Sequence, residues 1–286
     1  MKNLNKSDLD KLNKILNQLK IKKGQNIYLS IDITRLALAL NLHRKNMKNF
    51  SINIINLLIK KIGKNGNLAI PVFNESSISK LYFSRKDSAG ESGAFGNLLL
   101  QKYYLNRSKH PYVSYLFFGK DSKEFINIDN MNSEDDGSPW SEIINKNFTM
   151  ITIGHHYQRA FSIIHYLERI ANVKYRYDKY FTIRYLDFNN KIIKKKFSFF
   201  ARKLNKCKFS SITSYCDKFF IKHKIATLVK SKRLISYKVN LNLASDIILK
   251  DLRKGSSKFV CCATKLNSIK NKKILYGKNI TKLEII

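Results

Sequence analysis

Two short segments contain residue types that could move a proton. In "RSKHPYVSY", His110 stands directly before Pro111 at the entrance to an apolar run, and Ser114 lies four positions after the histidine. The residue before a proline is held in an extended conformation. An imidazole placed there can accept a proton from a nucleophile near neutral pH. A His-Pro pair is also typical of a structural histidine, so His110 is a candidate general base and no more.

The second segment, "SIIHYLE", places Ser162, His165 and Glu168 three residues apart on a predicted helix, so that neighbouring members lie on roughly one face. Such a face can supply a carboxylate that orients a distant histidine, or it can be an ordinary polar stripe. The spacing of His165 and Glu168 also permits metal ligation. The chain has no two-histidine helix motif, however, and no metal is expected.

The elements around these segments alternate between strands and helices. Apolar, β-branched runs predict strands at "NIYLSIDI", "GNLAIPVFN", "YVSYLFFG" and "MITIG". Helical spacing predicts helices between them, including one from about Phe161 to Ala171. This alternation indicates an α/β architecture with a largely buried sheet. After Tyr175, "KYFTIRYLDFNNKIIKKKFSFF" predicts a hairpin around Asn-Asn.

The composition is that of an ordered protein with a large positive charge. The chain has 286 residues, 44% of them hydrophobic, and 54 Lys and Arg against 20 Asp and Glu, a formal net charge of +34. The basic residues are spread along the chain among abundant Asn and Ile. Because Lys, Asn and Ile have A/T-rich codons, genome composition explains much of the charge. Nucleic acid is therefore a less favoured partner, while a phosphorylated cofactor remains compatible with the charge.

Other features bound the class of protein. No pair of the four cysteines has C-x-x-C spacing, and the N-terminal segment lacks the apolar core of a signal peptide. No apolar run approaches the length of a membrane span. We expect a cytoplasmic protein. In the absence of a Pro-, Gly- or Ser-rich linker, one domain over residues 1–286 is expected, with core motifs at about 7–180 and an elaborated part at about 181–286.

Read in order, six fragments resemble the aminoglycoside 3-N-acetyltransferase family. They are "GNLAIPVFN", "SGAFGNLLLQ", "RSKHPYVSYLFFGKDSKEF", "DGSPWSEI", "MITIG" and "SIIHYLERIANVKYR". The resemblance implies a three-layer αβα antibiotic-acetyltransferase fold with a central mixed sheet and an added C-terminal β-rich portion. It also implies transfer of acetyl from acetyl-CoA to an amine of an amino sugar, a nucleotide-sugar or an aminoglycoside.

The resemblance implies roles for individual residues as well. His110 is expected to deprotonate the acceptor amine, with Glu168 orienting it and Ser162 and Ser114 as hydroxyl donors. The CoA arm is expected beside Ser30, Asp32, Thr34 and Arg107. The residues expected to border the acceptor are Phe73, Asn74, Asn97, Asp136, Trp140 and His165.

Two positions depart from the family pattern on the acceptor side. Asn97 stands where the family commonly has Glu, and Val113 stands where it often has a second His. These departures favour a sugar amine of surface-polysaccharide biosynthesis over a drug as the acceptor. Two alternatives remain open, namely a basic nucleic-acid-binding protein and a catalytically inactive relative that acts as a scaffold. The sequence does not define the oligomeric state.

Overall fold

The computed structural model describes residues 6–42, 47–231, 234–256 and 258–263. The part of the predicted C-terminal region after residue 263 lies outside the described residues. The helices are α1 Lys6–Gln18, α2 Ile33–Ala39, α3 Met47–Ile62, α4 Ser76–Lys80, α5 Ala94–Tyr103, α6 Ser122–Asn127, α7 Pro139–Asn145, α8 Ile164–Ile170, α9 Ser214–Lys222 and α10 Leu241–Lys254. The strands are β1 Ile27–Ile31, β2 Asn67–Pro71, β3 Tyr82–Ser84, β4 Tyr115–Gly119, β5 Thr149–Ile153, β6 Arg176–Leu186, β7 Ile192–Arg202, β8 Phe209–Ile212, β9 Ala226–Ser231, β10 Leu234–Asn240 and β11 Val260–Ala263.

Six strands form the central sheet in the order β4-β2-β1-β5-β10-β9. Strands β2, β1 and β5 run parallel, with Ile27 of β1 opposite both Leu68 and Thr149. Strand β4 is antiparallel to β2, and β10 is antiparallel to both β5 and β9. The predicted central mixed sheet is therefore confirmed.

Alternation along the strands divides the core into two layers. In β1, Ile27, Leu29 and Ile31 face a core that α1, α2, α3 and α5 cover, whereas Tyr28 faces a second core that includes side chains of α7, α8 and α10. Successive side chains of a strand point to opposite faces, so Ser30 shares the face of Tyr28. Each Ile or Leu buried in these layers stabilises the fold by roughly 1.5–3 kcal/mol. The result is the expected αβα arrangement.

Two smaller sheets complete the described structure. The predicted hairpin is present as β6 and β7, which are paired from Arg176–Arg202 to Leu186–Ile192, and β3 adds to β6 in parallel. Asn190 adopts φ +60° in the turn, a conformation that asparagine tolerates. Strands β8 and β11 form a separate pair. No helix within the described residues is long and apolar enough to cross a membrane.

Two elements differ from the sequence-based expectation. Helix α8 is shorter than predicted, because a 3₁₀ turn at Tyr157–Ala160 and a bend precede its start at Ile164. Helix α2 was not expected. It begins where the Asp32 carboxylate accepts a hydrogen bond from the Arg35 backbone N–H at 2.9 Å, which caps its first turn.

Candidate active site

A cleft lies at the carboxyl ends of the parallel strands β1, β2 and β5. In open α/β sheets, ligands bind in this position, where neighbouring connections leave in opposite directions. The cleft consists of two adjoining cavities of about 260 and 330 Å³. We call the smaller one the acidic cavity, lined by Tyr28, Pro71, Phe73, Glu75, Glu91, Ala160 and Ser162, and the larger one the loop cavity, lined by Ile31, Asp32, Ile33, Thr34, Gly93, Ala94 and His155. Both cavities are also lined by Ser30, Ser92 and Arg159.

One wall of the cleft depends on a close approach between α5 and β2. A Cβ atom added to Gly96 would lie 2.7 Å from the Pro71 carbonyl oxygen and 2.8 Å from Val72 Cγ1. Only glycine permits this contact without displacement of the helix or the strand. Because Gly93 and Ala94 at the start of the same helix line the loop cavity, Gly96 helps to set the width of the cleft.

The acidic cavity combines carboxylates with aromatic rings. The Glu91 carboxylate accepts hydrogen bonds from the backbone N–H groups of Glu75 at 2.7 Å and Ser76 at 3.1 Å, which fixes the loop after β2. The Phe73 ring packs edge-on against Trp140 at 5.7 Å between ring centroids. Carboxylates and aromatic faces both favour a positively charged ligand. In a protein of net charge +34, the two carboxylates of this cavity outnumber its one guanidinium, that of Arg159, so its lining has a local excess of negative charge.

A serine and a histidine meet at the junction of the cavities. The Ser30 hydroxyl lies 3.0 Å from His155 Nε2, and His155 Nδ1 lies 3.0 Å from the His156 carbonyl oxygen. Since a carbonyl only accepts, Nδ1 carries the proton and Nε2 accepts the hydrogen bond that Ser30 donates. Burial lowers the pKa of His155, although its contact with the His156 backbone opposes this. The imidazole is therefore neutral at pH 7.

A second histidine is paired with a carboxylate on α8. His165 Nδ1 lies 2.9 Å from Oε2 of Glu168, which is fully buried, while the His165 side chain is 35% exposed. Glu168 also pairs with Arg176, at 2.6 Å from Nε, and accepts a hydrogen bond from the Tyr175 hydroxyl at 2.8 Å. Burial raises the pKa of Glu168, but the Arg176 charge and the bonds from His165 and Tyr175 outweigh it, so the net pKa is lowered. Glu168 is ionised.

His110 does not lie in the cleft. Its side chain is 1% exposed, its Nδ1 accepts a hydrogen bond from the Val113 backbone N–H at 3.1 Å, and its Nε2 lies 3.3 Å from the Ser198 carbonyl oxygen. Burial lowers its pKa to about 4. Strand β4 begins only at Tyr115, so the His-Pro segment forms a turn that β7 covers. The expectation that Glu168 orients His110 needs correction, because Glu168 contacts His165 instead.

Arg107 and Ser114 also occupy interior positions. Arg107 is fully buried and donates hydrogen bonds to Ser114 Oγ at 3.0 Å and to the Val72 carbonyl at 3.0 Å. Its guanidinium stacks over Phe83, 4.5 Å from the ring centroid. The structure therefore corrects the expectation that Arg107 meets a CoA phosphate, because its guanidinium is buried and donates to Ser114, to the Val72 carbonyl and to the Ser88 carbonyl.

Of the six residues expected near the acceptor, Phe73 lines a cavity, and Asn74, Asn97, Asp136, Trp140 and His165 do not. Asn74 donates to the Ala89 carbonyl at 2.7 Å, and Asn97 accepts from the Gly90 backbone N–H at 3.1 Å, so both hold the loop that carries Glu91. Trp140 is buried behind Phe73. Asp136 is exposed and accepts a hydrogen bond from the Tyr166 hydroxyl at 3.4 Å.

Five predicted residues do line the cleft, namely Ser30, Asp32, Thr34, Phe73 and Ser162. Sequence reasoning missed Tyr28, Glu75, Glu91, His155 and Arg159. His155 had a usable signal, because it follows the end of the predicted strand "MITIG" by one residue. Among the described residues, no group of three His, Cys, Asp or Glu side chains could hold a metal ion.

Solved structures with the same architecture include several acetyltransferases. AAC-VIa bound to sisomicin superposes with a TM-score of 0.69 at 13% identity, covering 86% of this chain and 97% of that chain. AAC-IIIb in a binary complex with CoASH gives 0.69 at 13% identity, covering 86% and 96%. The YokD protein from Bacillus subtilis gives 0.64 at 13% identity, covering 86% and 98%. None of the curated proteins compared with the chain matches it.

These likenesses show that the chain has the fold of the aminoglycoside acetyltransferases. The sequence model of one family, described as aminoglycoside 3-N-acetyltransferase, matches residues 44–237. The match covers more than half of the chain, and this protein therefore belongs to the aminoglycoside 3-N-acetyltransferase family.

Proposed function

We propose that the protein transfers an acetyl group from acetyl-CoA to a primary amine of an amino sugar, free or nucleotide-linked, or of an aminoglycoside. The observation that carries the proposal is the two-part cleft, in which an acidic, aromatic-walled cavity adjoins a second cavity at the strand ends. Family membership supports the reaction, and similar structures hold CoASH and sisomicin. Acetyl-CoA as donor agrees with the expected cytoplasmic location.

The acceptor amine binds in the acidic cavity. Amino sugars are protonated near neutral pH, and Glu75 and Glu91 supply negative charge for the ammonium while Tyr28 and Phe73 supply apolar walls for the ring. The donor occupies the loop cavity, bordered by Asp32, Thr34 and the start of α5. The two substrates then meet where the cavities join.

His165 acts as the general base. An ammonium is not a nucleophile, so a proton must leave before the amine attacks the thioester. In the tautomer that donates Nδ1–H to Glu168 Oε2 at 2.9 Å, Nε2 is the basic nitrogen; in the other tautomer, Nδ1 accepts from Arg176 Nη2 at 2.8 Å. Our proposal requires the first tautomer. Ser162, in the turn that precedes α8, lines the acidic cavity, and its carbonyl accepts a hydrogen bond from the His165 backbone N–H at 3.1 Å, so we place His165 behind this part of the wall. Positioned bases of this kind accelerate reactions by about 10²–10⁴-fold.

The proposal is tested with purified protein, acetyl-CoA and a panel of aminoglycosides, free amino sugars and nucleotide-linked amino sugars, with thiol release followed over time. We expect turnover with at least one amine, and a loss of about 10²-fold or more in kcat for His165→Asn. His223→Asn is the matched control, because His223 is exposed and directly follows α9, with its ring centroid 4.1 Å from that of Phe219. Absence of turnover with every amine contradicts the proposal and favours the inactive scaffold.

A further inference from the structure

The hairpin of β6 and β7 has a large excess of positive charge. Residues 176–202 include eight Lys and Arg but only two Asp. Asp178 pairs with Arg169 and Asp187 with Arg85, so both acidic side chains of the hairpin have partners in other parts of the fold. The positive charge of the hairpin is therefore not balanced by its own acids.

Three of these cations lie on one exposed face of the hairpin. The Phe181, Ile183 and Tyr185 side chains of β6 pack into a small core, so the residues between them point outward. We call the outward side of the hairpin the basic face. Its exposed residues are Tyr180, Thr182, Arg184, Ile192, Lys194 and Lys196.

The basic face brings like charges together. Arg184 of β6 lies directly opposite Lys194 of β7 in the strand register, an arrangement in which like charges destabilise a sheet. Lys196 Nζ lies over the Tyr180 ring, 4.7 Å from its centroid. Among the ion pairs of the described residues, none involves these three cations. An anion bound on this face would relieve the repulsion and supply the missing counter-charge.

Two isoleucines form an exposed apolar tip next to the basic face. Ile192 and Ile193 follow the turn of the hairpin, between Lys191 and Lys194, and are 57% and 41% exposed. Proteins that bind single-stranded nucleic acid stack the bases on aromatic rings, which aliphatic side chains do not offer. At a membrane, apolar side chains enter the boundary between headgroups and acyl chains while neighbouring lysines attract anionic lipids. The tip therefore favours a lipid surface over a nucleic acid.

We propose that the basic face and the tip of Ile192 and Ile193 dock the protein on the surface of an anionic membrane. The lysines lie among the lipid headgroups, and the two isoleucines reach the start of the acyl chains without spanning the bilayer. None of the residues that line the acidic cavity or the loop cavity belongs to the hairpin. The inference therefore goes beyond the proposed function and does not rest on it.

Vesicle binding tests the docking surface. Purified full-length protein is sedimented with vesicles of phosphatidylcholine and phosphatidylglycerol, and with vesicles of phosphatidylcholine alone. We expect binding to the anionic vesicles that weakens with salt, and little binding to the neutral ones. The combined change Lys191→Gln, Lys194→Gln and Lys196→Gln should weaken binding by about 10²-fold, because each cation near an anionic surface strengthens it by about fivefold.

A matched control separates this surface from the general charge of the protein. Lys14→Gln, Lys60→Gln and Lys64→Gln remove the same charge at exposed positions in or next to α1 and α3. This triple variant should weaken binding by less than about threefold. Equal losses in the two triple variants would overturn the proposal, because binding would then follow net charge alone.

Insertion of the tip gives a second readout. On anionic vesicles, the fluorescence of Ile192→Trp should shift to shorter wavelength and be quenched by lipids with brominated acyl chains, while the buried Trp140 contributes no change. Leu243→Trp, at an exposed position on α10, is the control and should show neither effect. Binding to vesicles without these changes in Ile192→Trp would contradict the docking of the tip.

The same variants distinguish a membrane from two other partners. Single-stranded DNA that binds through Lys191, Lys194 and Lys196, without binding to vesicles, would overturn the proposal in favour of a nucleic acid. A dimer that Ile192→Ser dissociates, again without binding to vesicles, would overturn it in favour of a second copy of the chain. The altered side chains are exposed, so each variant should keep the wild-type urea midpoint, and a loss of vesicle binding at an unchanged midpoint assigns that loss to the surface.

Discussion

Replacement of Glu168 by Gln tests the buried carboxylate that links α8 to β6. Glu168 is fully buried and its ion pair with Arg176, 5% exposed, has a separation of 2.6 Å. Breaking a buried pair through removal of one partner costs about 3–5 kcal/mol, because the other charge stays buried without compensation. The Tyr175 hydroxyl and His165 Nδ1 lose their anionic acceptor in the same substitution. We expect a loss in unfolding free energy of about 3–5 kcal/mol at pH 7.

The assay is urea unfolding monitored by the fluorescence of Trp140, the sole tryptophan, which is buried beside Tyr28. At an m-value of about 2–3 kcal/mol/M, the midpoint should fall by about 1–2 M. The matched control is Asp246→Asn, an exposed carboxylate on α10, for which a change within about 0.5 kcal/mol is expected.

The change of stability with pH tests the role of Glu168 independently. The pKa of Glu168 in the folded protein lies below its unfolded value of about 4.3. Its contribution to stability is therefore complete above about pH 4.3 and is lost as the pH falls through the folded pKa. The stability gap between wild type and Glu168→Gln should narrow in acid. A gap below about 0.5 kcal/mol at pH 7, or one that widens in acid, would refute the account of this ion pair.

Three further substitutions have expected outcomes. His110→Ala should lower the unfolding free energy by about 2–4 kcal/mol through lost packing and an unpaired Val113 N–H, with kcat kept within about threefold. The pKa of His110 is about 4 in the folded protein and about 6.5 in the unfolded chain, so the wild type alone should lose the stability that His110 contributes as the pH falls from 6.5 toward 4. Urea unfolding at several pH values measures both effects. Arg107→Lys should lower the urea midpoint and leave KM for acetyl-CoA unchanged. A raised KM at unchanged stability would instead support a contact between Arg107 and a CoA phosphate. Glu75→Gln should raise KM for a cationic amine by about two- to fivefold, an effect that shrinks in high salt, without changing KM for acetyl-CoA in steady-state kinetics.

The strands of the sheet were predictable because their burial is continuous. "NLAIP" of β2 is buried at every position, and β5 is nearly so, which produces the uninterrupted apolar runs by which strands between helices are recognised. The carboxyl ends of such strands indicate where a ligand binds. Ser30, Asp32 and Phe73, chosen on this basis, line the cleft, and their binding roles stay predictions.

The burial of His110 and the two cleft carboxylates could not be predicted in this way. The His110 ring is covered by Ser198, 88 positions away in β7, and no local pattern shows that the hairpin folds over the His-Pro turn. Glu91 accepts a hydrogen bond from the Glu75 backbone N–H across 16 positions that include α4 and β3. The His165–Glu168 pair, in contrast, joins residues three apart on one helix. The spacing permits this contact, but it does not show that Glu168 contacts His165 rather than a histidine elsewhere in the chain.

The absence of a side chain at Gly96 determines how closely α5 approaches β2, and so affects the width of the cleft. A methyl group at this position would overlap the Pro71 carbonyl, so α5 would have to move outward, taking the Gly93–Ala94 wall of the loop cavity with it. In the proposed function the donor occupies the loop cavity, so the space for its acyl group depends on the hydrogen atom of Gly96, which lines neither cavity. We expect Gly96→Ala to favour longer acyl donors, with the acidic side chains of the other cavity left in place.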